Sequence, residues 1–187
     1  MKKFELTNEF ITNMFGTKLF RIRALVEFGD VEAGELGGYV EKESNLGHDD
    51  NAWVYDNAWV YGNARVYGDA QVSGDARVYD NAWVYGDAQV SGNAWVYGNA
   101  LVCSDEDYAY AHGFGSVNRT TTFFRLKDGG VGVRCGCFYG TLAQFRDKIR
   151  ETHGETKKAQ EYLMLADLME LRFEEDENEV GNRKYVE

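Results

Sequence analysis

From Asn51 to Ser104 the chain repeats every six residues: NAWVYD, NAWVYG, NARVYG, DAQVSG, DARVYD, NAWVYG, DAQVSG, NAWVYG, NALVCS. Ala fills the second place and Val the fourth of all nine units. Asn or Asp opens each unit, and Gly, Asp or Ser closes it. A short fixed period of this kind predicts a solenoid. Within a unit the triplet x-Val-Tyr is a short strand, so Val turns one way and its two neighbours the other. The invariant, β-branched Val lines the interior. The Gly-Asn or Gly-Asp pair makes the corner, where a positive φ is cheap. Ala follows the corner and is small enough to turn inward where space is tight. Three sides close one coil of 18 residues, so nine units predict three coils stacked at about 4.8 Å.

The flanks follow other patterns. Phe20 to Val26 alternates as a strand, and the chain returns from Val31 to Val40 after Gly29-Asp30. Residues 1–50 therefore read as a β-rich cap over the exposed strand edges of the first coil. Residues 105–115 read as an acidic link followed by Tyr108, Tyr110 and Phe114 among small residues. Thr120 to Leu126 and Val131 to Phe138 read as a hairpin around Lys127-Asp128-Gly129-Gly130. Thr141-x-x-Gln144 is a capping box, opening a helix that ends at Gly154. Over 155–174, Ala159, Tyr162, Leu163, Ala166, Leu168, Met169 and Phe173 recur at helical spacing. The tail from Glu174 to Glu187 is acidic and predicts a loose terminus. Three regions result: a cap over 1–50, a solenoid over 51–104 and a small α+β domain over 105–187. The fold class is mainly β.

The outward positions of the repeat carry the candidate chemistry. At 18-residue spacing they fall on three faces. The first shows Trp53/Tyr55, Gln71/Ser73 and Gln89/Ser91. The second shows Trp59/Tyr61, Arg77/Tyr79 and Trp95/Tyr97, and the third Arg65/Tyr67, Trp83/Tyr85 and Leu101/Cys103. The second face is too aromatic to leave in water. Two readings stay open for it. One is a subunit interface in which Arg77 stacks between rings. The other is a site for a planar ligand or a partner protein, with Arg65 or Arg77 as the anion anchor. Arg119, Arg125, Lys127 and Arg134 lie on or near the predicted hairpin, where Arg125 and Arg134 could meet across the turn. They form a second candidate anion site, and ordinary surface charge is the plainer reading.

Read from Val, each unit is Val-Tyr-Gly-(Asn/Asp)-Ala-x, which resembles the hexapeptide-repeat family. The resemblance implies a left-handed parallel β-helix, usually a homotrimer. It says little about function, because the fold hosts several. The segments Phe20-Arg21-Ile22-Arg23-Ala24-Leu25, Gly34-Glu35-Leu36-Gly37-Gly38-Tyr39-Val40-Glu41 and Cys135-Gly136-Cys137-Phe138-Tyr139-Gly140-Thr141-Leu142 are similar to uncharacterised bacterial and phage members. Acyltransferases of the family use a histidine near the subunit interface, and its carbonic anhydrases use three on zinc. Here no histidine and no inserted loop falls within 51–104. His48, in Gly47-His48-Asp49-Asp50, is the one base that position allows, and an exposed turn histidine is the plainer reading.

Composition removes other classes. The net charge is −11, from 20 Lys+Arg against 31 Asp+Glu, which argues against a general nucleic-acid binder. No apolar stretch is long enough for a membrane span. Three cysteines and an N-terminus without an apolar core lead us to expect free thiols and a cytoplasmic setting. Cys135-x-Cys137 with His153 or His112 is a poor zinc spacing, and buried core cysteines are expected instead. The Gly129-Gly130-x-Gly132 run lacks the Lys-Ser/Thr ending of a phosphate loop. The expectation is a non-catalytic, cofactor-free homotrimer of phage or prophage type. It would bind a nucleotide-type molecule or a host defence protein between subunits. A hexapeptide acyltransferase and a purely structural trimerisation module are the alternatives.

Overall fold

A computed structural model describes residues 1–117 and 119–174, so the expected loose tail lies outside the described residues after Glu174. The chain opens with β1 (Phe4–Thr12), β2 (Lys18–Ala24) and β3 (Leu36–Val40), paired antiparallel in that order. Nine two-residue strands follow. They are β4 (Trp53–Val54), β5 (Trp59–Val60), β6 (Arg65–Val66), β7 (Gln71–Val72), β8 (Arg77–Val78), β9 (Trp83–Val84), β10 (Gln89–Val90), β11 (Trp95–Val96) and β12 (Leu101–Val102). Every third strand pairs in parallel, giving the faces β4-β7-β10, β5-β8-β11 and β6-β9-β12. The Val of every unit is fully buried, and the Ala at most 1% exposed. Closing glycines take φ of 62° to 70°, and where Asp56 and Asp80 stand instead they take 52° and 60°. Asp is among the few residues that enter this region at modest cost.

The solenoid is one turn taller than the repeat predicts. β3 pairs in parallel with β5, Tyr39 opposite Trp59, and Leu46 pairs in parallel with Val66. Val40 and Leu46 point inward above Val60 and Val66 and are buried. The predicted cap thus supplies two sides of a further coil, and the β-solenoid has about four turns, not three. The N-terminal strands also cover Trp53, which the repeat places outward. It is 0% exposed, with Phe28 at 5.3 Å and Phe4 at 6.2 Å between ring centroids.

At both ends of the prism, side chains meet backbone groups of the terminal coil. At the first coil the buried Asn45 amide donates to the carbonyls of Gly62 (3.1 Å) and Ala64 (2.8 Å). At the last coil, side-chain oxygens accept from strand N–H groups. Asp105 takes Gln89, Tyr108 takes Ser91, Thr122 takes Trp95 and Asp107 takes Cys103, at 2.7 to 3.2 Å. These bonds close edges that would otherwise template another strand.

Beyond the prism, β13 (Tyr108–Phe114), β14 (Arg119–Arg125), β15 (Val131–Cys135) and β16 (Phe138–Thr141) form an antiparallel sheet. It is followed by α1 (Leu142–His153) and α2 (Lys157–Phe173). The Thr141–Gln144 capping box forms as expected. The predicted strand to Phe138 is broken at Gly136, φ 60°, into β15 and β16, and the predicted link contains β13. One sheet face, with Phe124, packs on the solenoid core. The other, with Phe123 and Val133, packs on the helices. Among the described residues, no helix is long and apolar enough to cross a membrane.

Candidate functional site

Parallel register stacks like positions at one strand spacing, so the second face becomes two columns. In one column, Arg77 lies between two indoles. Its guanidinium carbon is 4.1 Å from the Trp59 ring centroid and 4.7 Å from that of Trp95. Arg134, from β15, continues the alternation at 5.0 Å from Trp95 and 5.5 Å from Tyr97. In the other column Tyr61, Tyr79 and Tyr97 stack at 4.9 and 4.6 Å, and Tyr139 closes it at 4.5 Å. Burial pushes the Tyr97 phenol up to about 12, against the Arg134 charge, and raises Tyr79 and Tyr61 as well. Tyr97 is only 8% exposed, so it is a covered rung and not the open surface the repeat predicts.

Clefts open on these faces. One of about 240 Å³ lies where the C-terminal sheet meets face two, lined by Asn93, Trp95, Arg119, Thr120, Thr122 and Arg134. A second of about 220 Å³ holds Tyr39, Trp59, Asp75 and Arg77. A third, of about 650 Å³, lies on face three beside Gly47, His48, Arg65, Tyr67 and Trp83. Here two cations lean on one indole: Arg65 at 5.9 Å and Lys127 Nζ at 4.1 Å from the Trp83 centroid. Burial, and then the Arg65 charge, lower the Lys127 ammonium below its ordinary value. Among the described residues, none of Arg65, Arg77, Arg119 and Arg134 forms an ion pair.

Arg125 does not join this set. Thr122 pairs with Arg134, and Arg125 is three residues on from Thr122, so the two arginines project from opposite sheet faces. Arg125 is buried toward the helices, 5.3 Å over the Phe173 ring and 3.7 Å from Asp107 Oδ1, and it donates to the Gly129 carbonyl. It is a structural ion-pair member. The hairpin arginine that does reach a cleft with Arg134 is Arg119.

His48 is not an exposed turn residue. Its ring stacks on Phe4 at 4.4 Å, its Nδ1 accepts the Lys3 N–H at 3.3 Å, and burial lowers its pKa. An Nδ1 that accepts leaves the proton of the neutral ring on Nε2. The cysteines also differ from expectation: Cys135 is half-buried against Thr121 and Tyr162, and Cys137 is exposed in the Gly136 turn. Among the described residues, no three His, Cys, Asp or Glu side chains gather as a ligand set.

Residues 58–72, 70–86 and 88–104 match the family model described as the YdcK beta solenoid repeat. The repeat is of the YdcK β-solenoid type. This match covers the prism from residue 58 to its end at residue 104 and neither flank. No curated protein matches the chain. The YdcK-type repeat accounts for the scaffold, while Arg119 and Arg134, which line the first cleft, and Lys127 and Tyr139, which pack on repeat rings, come from the segment that follows it.

Proposed function

We propose that this chain is a non-catalytic binding protein for small anionic ligands that carry a planar ring, the nucleotide class, and that it works as a homotrimer. One observation carries the reading. Arg65, Arg77 and Arg134 are held against indole rings with no carboxylate partner among the described residues, in a chain of net charge −11. Guanidinium planes fixed on rings lose little freedom when they bind a phosphate, and the rings offer stacking surface to a base. The His48 tautomer favours binding over acyl transfer, because its inner nitrogen accepts where a general base would donate to an orienting group. The resemblance of the flanks to phage hexapeptide-repeat proteins, with the left-handed trimer it implies, supports a counter-defence role in which a host nucleotide signal is held away from its receptor.

Calorimetry against a panel of mono-, di- and cyclic nucleotides tests this. At least one should bind, and affinity should fall with salt. Single changes of Arg65, Arg77 and Arg134 to Ala should identify the anchor by a loss of roughly ten- to a hundred-fold, the worth of one charge-assisted hydrogen bond. If no member of the panel binds, the arginines are structural and the chain is a trimerisation module.

A further inference from the structure

On face three, Tyr67 and Tyr85 stack at 5.1 Å and 6° between ring planes. The same column on face two is closed at its lower end by a ring, Tyr139. On face three the upper end is open. Leu46 pairs with Val66, so the residue one rung above Tyr67 is Gly47, whose N–H donates to the Val66 carbonyl. Glycine provides no ring. Among the described residues the Tyr67 ring has Tyr85 and Trp83 as ring neighbours, both from the rung below. The space a further tyrosine would fill is part of the 650 Å³ cleft, a volume in the range that holds a mononucleotide.

We infer that this missing rung is a purine-nucleotide slot, in which the base stacks on Tyr67 above Gly47 and the phosphate meets Arg65. The inference rests on the binding role proposed above and gives it a place. The Tyr67 ring gives the slot a flat aromatic floor, which favours a flat ligand. Arg65 is exposed and lines the cleft, and Lys127 Nζ, outside the lining, lies 4.1 Å from the centroid of the Trp83 ring that does line it. The lining also carries Asp49 and Glu43, the latter paired with Lys2. Carboxylates there suit a base edge with ring N–H and amino donors, so guanosine 5′-monophosphate is the probe of choice.

Gly47→Tyr supplies the missing ring from the chain itself. A Cβ at Gly47 would lie 3.1 Å from Tyr67 Cβ, so Tyr67 must give by a few tenths of an ångström, and a retained melting transition shows that it does. Calorimetry with guanosine 5′-monophosphate should show binding to the wild type and at least ten-fold weakening in Gly47→Tyr. Arg65→Ala, an exposed position where the fold is not at stake, should weaken it to a similar extent, and Arg134→Ala should not. Inorganic phosphate should bind far more weakly than the nucleotide. Equal affinity in Gly47→Tyr and Arg65→Ala, with loss in Arg134→Ala, overturns the slot and leaves the binding role standing on face two. Phosphate binding as tightly as the nucleotide also overturns it, since the ring then contributes nothing. A wild type that binds other nucleotides but not this probe removes the slot alone, and one that binds none of the panel removes the role with it.

Discussion

Lys3 is the clearest case of a single side chain whose role depends on distant contacts. It is 3% exposed, its Nζ donates to the carbonyls of Asp49, Asp50 and Ala52, and it sits 4.5 Å over the Phe28 ring. Burial pushes its ammonium down to about 8, against the favourable charges of Asp50, Asp49 and Asp69. An unfolded lysine titrates near 10.4. Between these values the unfolded chain binds the extra proton, so stability attributable to Lys3 rises as pH goes from about 8 to about 10.4. Urea unfolding of the wild type and Lys3→Met at pH 7.5 and 10 should show the wild type gaining on the variant at the higher pH. A constant difference would mean that Lys3 stays charged throughout. Nothing local in Met1-Lys2-Lys3-Phe4 announces this, because the acceptors lie 46 to 49 residues away. Trp53 follows the same logic: its outward direction from its own strand is legible, and the N-terminal segment that covers it is not.

At the level of elements, the repeat period set the strands, the inward Val and Ala, the corners and the register, because each is a nearest-neighbour property of the coil. The added turn was hidden because β3 and Leu46 reach the same positions without the hexapeptide pattern. What lets β3 lie on the solenoid is the pair Gly37-Gly38. A Cβ at Gly38 would stand 2.6 Å from the Ala58 carbonyl oxygen and 2.7 Å from Val54 Cγ1, and one at Gly37 would stand 2.5 Å from the Val54 carbonyl oxygen. Two of these obstacles are backbone and cannot rotate away. Gly38→Ala should therefore cost about 1–3 kcal/mol, the range for overpacking a core. Thermal melting checks it, and an unchanged midpoint would mean that β3 is held more loosely than its register implies. The candidate site was half legible in the same sense. Arg65, Arg77 and the indoles follow from the 18-residue grouping. Arg134 joins face two only because β14 turns its even-numbered residues, Thr122 and Phe124, toward the prism, and the sequence placed Arg125 beside it without a way to tell the two faces apart. The Gly47 gap required knowing that Leu46 is in register with Val66.

For the whole molecule, closure of both prism ends leaves the sides as the surfaces on which copies can meet. Face one is polar at Gln71, Ser73, Gln89 and Ser91, while face two presents Trp59, Arg77 and Trp95, each only half-buried within the chain. Face two is thus where a trimer would gain most from further burial. Tyr79 is a poor position to probe, since it stacks between Tyr61 and Tyr97 and a charge there would break the column. Trp59→Glu changes the rim of the face and leaves the tyrosines alone. Light scattering should give the wild type about three times the 21.2 kDa of one chain, and Trp59→Glu a single-chain mass with its melting transition retained. If the variant keeps the wild-type mass, face two is not the interface. If the wild type itself weighs one chain, the trimer is removed and the ligand question is untouched. The Gly47 slot lies on face three, away from Trp59, so a nucleotide that binds there should bind the single-chain Trp59→Glu form with the same affinity, and a weaker affinity would mean that the slot needs the assembled trimer.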